Sequence, residues 1–360
     1  MKLFACQACG NLLYFENTTC EACHHRLGYL PKPEVLAALE PDGDGFITVA
    51  KPAASVRFCA NAAHDACNWL IPADSPDKFC LACRHNHTIP DVSVPANLAR
   101  WRNIEFAKHR LFYALAKLNL PMPAVGEDKE PLVFEFLADP PDAKGPKVMT
   151  GHENGVITLA LKEGDDAERT ALREAMGEPF RTLLGHFRHE IGHYYWDKLV
   201  RDGGRLDACR AVFGDDTLSY EDALKRHYSE GAPANWRDSH ISAYSTMHPW
   251  EDFAETWAHY MHIVDTLETA ASFGMKVAPR IAKGDPDLMA EIAFDPYRAP
   301  SAQRLIDDWL PLTYAVNSLN RSMGNGDLYP FVVSPPVITK LQFIHELVQG
   351  IEDGVISKAA

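Results

Sequence analysis

Positive charge is scarce in this chain. Lys and Arg together number 35 against 49 Asp and Glu, a formal charge of −14. A surface of that sign repels phosphate backbones and anionic bilayers, which disfavours a general nucleic-acid binder. Long apolar runs are missing as well. No window approaches the roughly 18 unbroken apolar residues of a membrane-spanning helix, and the opening MKLFACQACG carries no signal-like apolar stretch. A cytoplasmic protein with no membrane partner is therefore expected. No internal repeat or low-complexity segment is evident, and cysteine all but disappears after Cys83, where only Cys209 remains of nine. Eight cysteines gathered at one end, mostly as C-x-x-C pairs, suit metal better than disulfides. The remaining composition, 46% hydrophobic and 23% charged over 360 residues, is that of a globular protein of two or three domains.

The first cysteines read Cys6-x-x-Cys9 and Cys20-x-x-Cys23, two knuckles facing one another across a short hairpin in the pattern of a zinc ribbon. Zinc takes four soft ligands at tetrahedral vertices, and each C-x-x-C turn puts two sulfurs on one edge without strain. Leu12 to Phe15 between the knuckles reads as a short strand. So small a unit, about 25 residues, buries too little surface to fold without its ion, so this zinc is structural. Cys59, Cys67, Cys80 and Cys83 supply a second closed set with a wider first gap. His24, His64, His85 and His87 lie near these knuckles, but four cysteines already complete each shell. Asp42-Gly-Asp44-Gly45 looks like the start of a calcium loop; Lys51 stands where a bidentate glutamate is required, so the segment reads as a turn. Around IPDVSVP, ending at Pro95, composition changes and a domain boundary is expected near residue 92.

Residues 97–119 carry Leu98, Trp101, Ile104, Phe112, Leu115 and Leu118 at helical spacing, and Pro121 and Pro123 end the run. LVFEFLAD from Leu132 and VITLAL from Val156 read as strands, the second following an Asn154-Gly155 hairpin signal. Residues 167–200 form a long helical reach with an expected break at Pro179. It contains His189-Glu190-Ile-Gly-His193, an H-E-x-x-H pattern. Residues four apart lie one turn above each other, so His189 and His193 can aim two imidazoles at one zinc ion, with Glu190 beside them as general base for the attacking water.

A catalytic zinc needs a third protein ligand and an open fourth position. Trp196 and Leu199 occupy the places where the metzincin pattern has glycine and a third histidine, so that subclass is excluded. PWEDFAETWAHY offers a later glutamate instead, with Glu251 as third ligand 58 residues after His193. Glu255, one turn on, then suits a hydrogen bond to the far nitrogen of a ligand histidine, as does Asp197, one turn after His193. Exchanging the roles of Glu251 and Glu255 satisfies the same helical geometry.

The H-E-x-x-H helix followed by an E-D-F-A-E helix resembles the gluzincin side of the zincin fold, including relatives of the anthrax lethal factor catalytic domain. With the cysteine-rich N-terminus, nearly the whole chain resembles a bacterial family of zinc-binding metallopeptidases. Lethal-factor-like enzymes carry an oxyanion-binding tyrosine seven residues before the ligand glutamate, and Tyr244 stands there, which favours Glu251 over Glu255. In zincins the strand before the motif helix lies at the sheet edge and pairs with extended substrate, a role open to ITLAL, Ile157 to Leu161, with an ordinary internal strand as the other reading.

His186, His259 and His262 share faces with the motif residues and read as hydrogen-bonding or packing groups. Tyr194, Tyr195, Trp196, Trp250 and Trp257 read as wedges between helices. Cys209 reads as a bystander thiol, and Asn317, Asn320 and Arg321 as capping or exposed residues. The fold expected is α+β: a zinc-ribbon domain over 1–92 with two structural zinc sites of four cysteines each, then a zincin-like domain over 93–360. That domain would hold an active-site helix at about 180–200, a ligand helix at about 249–264 and a helical lobe at about 265–360. The function expected is peptide hydrolysis with one catalytic zinc, the ribbon recruiting a protein partner or substrate. The rivals are a non-catalytic adaptor, binding protein or nucleic acid through its ribbons, and a zinc hydrolase of non-peptide amides.

Overall fold

Contacts in the computed structural model, which describes residues 1–139, 147–170, 182–281, 285–352 and 355–356, gather the chain into two compact units, Met1–Phe187 and Arg188–Ala360. Pro179 and its expected break lie outside the described residues. None of the described helices is long and apolar enough to cross a membrane. The chain is mixed α+β, with a cysteine-rich ribbon region followed by a larger one.

In the first unit β1 (Phe4–Ala5) pairs antiparallel with β2 (Leu12–Leu13) between the first two knuckles. Five strands follow as an antiparallel meander: β3 (Arg26–Leu30), β4 (Val35–Asp42), β5 (Gly45–Thr48), β6 (Ser55–Phe58) and β7 (Leu70–Pro72). Asp42 pairs with Gly45, so Gly43 and Asp44 form the two-residue turn expected there, with Gly43 at φ +58°. Ala37, Leu39, Val56 and Leu70 make one apolar cluster of this sheet.

After β8 (Asn86–Thr88) comes α1 (Pro95–Lys117), opened by a proline whose missing N–H costs nothing in the first turn. It buries Trp101, Ile104, Leu111, Phe112 and Leu115, and with them Glu105, Lys108 and His109. The polar trio is tolerated because it is paired. Lys108 Nζ donates to Glu105 Oε1 at 2.9 Å and lies over the rings of Phe134 and Phe136.

Three more strands, β9 (Val133–Leu137), β10 (Gly151–Glu153) and β11 (Val156–Ala160), join β8 in the order β10-β11-β9-β8. Strand β9 runs parallel to both β8 and β11, whereas β10 and β11 are a hairpin turned by Asn154 and Gly155, both at positive φ. ITLAL is not an edge strand, because the Asn-Gly turn folds Gly151–Glu153 back along its outer side and β10 becomes the edge. Strands before and after IPDVSVP share a sheet, and Tyr113 of α1 meets Phe15 and Tyr29 at 5.5 and 6.2 Å between ring centroids. The compact unit therefore runs through residue 92 to Phe187.

Helix α2 (Leu183–Tyr195) carries the H-E-x-x-H residues and passes into a π-helical turn at Trp196–Arg201. The second unit continues with α3 (Leu206–Phe213), α4 (Tyr220–Glu230), α5 (Pro249–Ser272), a short pair β12 (Lys276–Val277) and β13 (Ala290–Glu291), α6 (Ala302–Ser322) and α7 (Pro335–Gln349). Helix α5 packs on α3, α6 and α7 and buries Phe253, Trp257, Ile263, Val264 and Leu267. Several of its buried polar residues are answered from other elements. Lys340 Nζ donates to Asp252 at 2.6 Å, Arg188 and Tyr297 both bond Asp265, and His259 Nδ1 lies 2.7 Å from the Tyr329 hydroxyl.

Burial of His259 sets a pH dependence. Burial pulls its pKa down from 6.5 to about 4 against the pull of Glu255. Between pH 6.5 and 4 the unfolded chain binds a proton at this residue that the native one refuses, so stability is lost as pH falls through that window, by an upper bound of about 3 kcal/mol. His259→Gln is expected to be less stable than wild type at pH 7 and to close most of that gap by pH 4.5. Thermal melts across this range check it, and parallel slopes of Tm against pH would count against it.

Candidate active site and metal centres

Helices α2 and α5 approach closely at Gly192, where a Cβ would stand 2.9 Å from Ala254 Cα and 3.2 Å from its carbonyl oxygen. That contact brings the histidine stripe of one helix to the glutamate stripe of the other. His189 Nε2 lies 2.9 Å from Glu251 Oε2, His193 Nε2 lies 3.4 Å from the same oxygen, and the two Nε2 atoms are 3.2 Å apart. Ligands held about 2.0–2.1 Å from a tetrahedral zinc stand about 3.3 Å from one another, so this triangle fits such an ion. The donor chemistry fits too. His189 Nδ1 is 2.8 Å from Glu255 Oε1, a bond that takes its proton to Nδ1 and leaves an Nε2 lone pair facing Glu251. Glu255 Oε2 accepts from Ser242 Oγ at 2.6 Å, and Ser242 Oγ accepts from the Ser245 N–H, so one carboxylate ties His189 to the turn that bears Tyr244.

Helix α5 favours this arrangement at its own start. His248 accepts the Trp250 N–H as N-cap, Pro249 opens the first turn, and Glu251 and Asp252 stand where the helix dipole favours carboxylates. Glu190 is 9% exposed, and burial raises its pKa, against the pull of His189 and His193. A carboxylate so placed is a stronger proton acceptor than one in water. Tyr244 has its ring 5.9 Å from that of His189, and burial and then the Glu251 charge raise its pKa, so it stays a protonated donor. Asp197 Oδ1 is 3.2 Å from Arg201 Nη1.

Residues 97–347 match a family model described as "Putative zinc-binding metallo-peptidase", and residues 3–94 match a zinc-ribbon domain. The chain belongs to this metallopeptidase family. It is 42% identical over 355 residues to uncharacterized proteins of Mycobacterium bovis and of two Mycobacterium tuberculosis strains, covering 98% of this chain and 96% of each relative. No solved structure matches it.

In the ribbon of this family member the eight cysteines converge in two groups as their spacing suggests, Cys6, Cys9, Cys20 and Cys23, and Cys59, Cys67, Cys80 and Cys83. Sulfurs about 2.3 Å from a tetrahedral zinc stand about 3.8 Å apart. Cys6 and Cys23 are separated by 3.6 Å, Cys9 and Cys20 by 3.7 Å, and Cys67 and Cys80 by 3.8 Å. The two groups differ in burial. Cys9 is exposed and Cys23 half-buried, whereas all four cysteines of the second group are buried.

Three residues of this family member join these sites without a signal in the spacing. His109 of α1 brings Nε2 to 3.2 Å from Cys67 Sγ and 3.6 Å from Cys83 Sγ, with Nδ1 donating to the Glu105 carbonyl at 2.6 Å. Tyr220 donates its hydroxyl to Glu251 Oε1 at 2.8 Å. Trp250 lies against the His193 ring, centroids 3.6 Å apart, between α5 and α2. A helical histidine twenty-odd residues past the last knuckle, or a tyrosine at a helix start, carries no motif. Among the bystanders, His186 Nδ1 is 3.5 Å from Glu163, and His262 Nδ1 is 2.5 Å from Arg188 Nη1. Asn317 bonds the backbone of Tyr329 from both ends of its amide, and Arg321 pairs with Asp327. Cys209, in a segment that reads as polar, is buried, and burial lifts its thiol to about 12.

Proposed function

We propose that this protein hydrolyses peptide bonds as a gluzincin-type zinc peptidase, with His189, His193 and Glu251 as zinc ligands and Glu190 as general base. The observation that carries the reading is the convergence of two imidazole nitrogens and one carboxylate oxygen within 2.9–3.4 Å, with Glu190 next in sequence to the first of them. Zinc at that place supplies a Lewis acid that polarises a carbonyl and acidifies water. The chain does the rest. Glu190 takes the proton of the attacking water and passes it to the departing amine. Glu255 holds His189 in one tautomer, and the Tyr244 hydroxyl donates to the charge that develops on the carbonyl oxygen. Asp197, one turn beyond His193, is read as a supporting carboxylate. The two cysteine groups hold structural zinc, and the ribbon serves to recruit a protein partner or substrate; the chain works in the cytoplasm.

The test counts zinc per chain in wild type and in His189→Ala purified alongside, and then incubates both with a proteome-derived peptide library read by mass spectrometry for new termini. Three zincs falling to two, with cleavage confined to wild type, is the expected result. Two zincs in both proteins, unrestored by added zinc, would reject the catalytic site and put the adaptor reading ahead.

A further inference from the structure

We propose that Tyr220 is a positioning residue that keeps Glu251 on the metal through a single oxygen, a role that rests on the metal-site reading above. The two oxygens of this one buried carboxylate have different neighbours. Glu251 is 2% exposed, and its Oε2 faces both histidine Nε2 atoms while its Oε1 accepts the Tyr220 hydroxyl at 2.8 Å. A buried carboxylate oxygen without a donor is costly and turns towards the nearest positive charge. Here that charge would be the ion itself, and a second oxygen on the ion would fill the position that water and substrate need. The phenol answers Oε1 and so removes the drive to chelate.

Tyr220 is anchored for this task from a second direction. His248, the N-cap of α5, accepts the Trp250 N–H on Nδ1 and donates from Nε2 to the Leu218 carbonyl at 3.1 Å. One imidazole thereby joins the start of the Glu251 helix to the residue two before Tyr220. The Tyr220 ring lies 5.5 Å from His248 and 6.0 Å from Trp250, and Trp250 in turn lies on His193.

The experiment uses the full chain with zinc left in its cysteine sites, the histidine site emptied by a chelator and refilled with cobalt(II). Spectra of His189→Ala treated identically are subtracted. Tyr220→Phe keeps the ring and removes one oxygen. It is expected to weaken cobalt binding about 10–100-fold, the usual cost of losing a partner of a ligand, and to dim the visible bands as a four-coordinate ion gains a fifth donor. Circular dichroism and Tm confirm that the variant is folded. Unaltered affinity and spectrum in Tyr220→Phe would overturn the role of Tyr220 while leaving the metal site standing. A wild type that takes up no more cobalt than His189→Ala would overturn both.

Discussion

Glu190→Gln is expected to retain the zinc content of the wild type and to lose hydrolysis by roughly 10²–10⁴-fold, the contribution of a well-placed general base. The substitution keeps the shape of the side chain and removes only its ability to take a proton. Neither His189 nor His193 changes partner, since Glu255 and Glu251 meet them from α5. Stability separates this variant from a damaged one. Burial raises the Glu190 pKa above its value in an unfolded chain, so the native state binds the proton more tightly and stability falls as pH rises past the ordinary carboxylate value. At neutral pH the buried charge is therefore a liability that the amide lacks, and Glu190→Gln should melt no lower than wild type. Loss of activity together with equal or higher Tm marks a group kept for chemistry at the expense of folding. Hydrolysis at the wild-type rate by the variant would remove Glu190 from the mechanism.

How much of this is legible in the sequence follows from what spacing encodes. The pairing of His189 with His193, and of Glu251 with Glu255, is a property of helices and is readable from position alone. That the two stripes meet depends on Gly192 admitting the α5 backbone, which only the packed structure displays. The C-x-x-C turns are readable for the same local reason, whereas His109 reaches Cys67 from 42 residues away through packing of α1. Tyr220 and Trp250 look like any helix-boundary aromatics in sequence, and their roles arise from contacts with Glu251 and His193. ITLAL is readable as a strand, but its place within the sheet is not. Alternation reports which face is buried and not which strand lies beside it, and its outer neighbour Gly151–Glu153 is three residues without apolar pattern. Composition changes near residue 92, and the sheet pairing between β8 and β9 that spans this point has no local pattern to announce it.

The same packing leads to the largest expected effect on stability, which separates the two cysteine groups. Cys80→Ser is expected to leave the Met1–Phe187 unit unfolded at 25 °C, whereas Cys9→Ser loses one zinc and keeps a folded unit. Structural zinc contributes an apparent ~10–16 kcal/mol in small domains, as much as or more than the ~5–15 kcal/mol by which whole domains are stable. What differs between the groups is how much of the fold shares each loss. Cys59, Cys67, Cys80 and Cys83 are all buried, and His109 seats α1 on two of them beside Trp69, ring centroids 5.2 Å apart. Without that ion the four buried sulfurs lose the charge that gathers them and His109 loses its seat on two of them, and α1 packs on both sheets, Tyr113 on Tyr29 and Phe112 on Phe134. The first group brackets the two-residue strands β1 and β2, and Cys9 already faces solvent. Hydrogen exchange at the amides around the fully buried Trp69 and Trp101 reads the outcome and locates the loss. A Cys80→Ser protein that lacks one zinc yet melts with wild-type Tm would mean that α1 and its sheet are held by apolar packing alone.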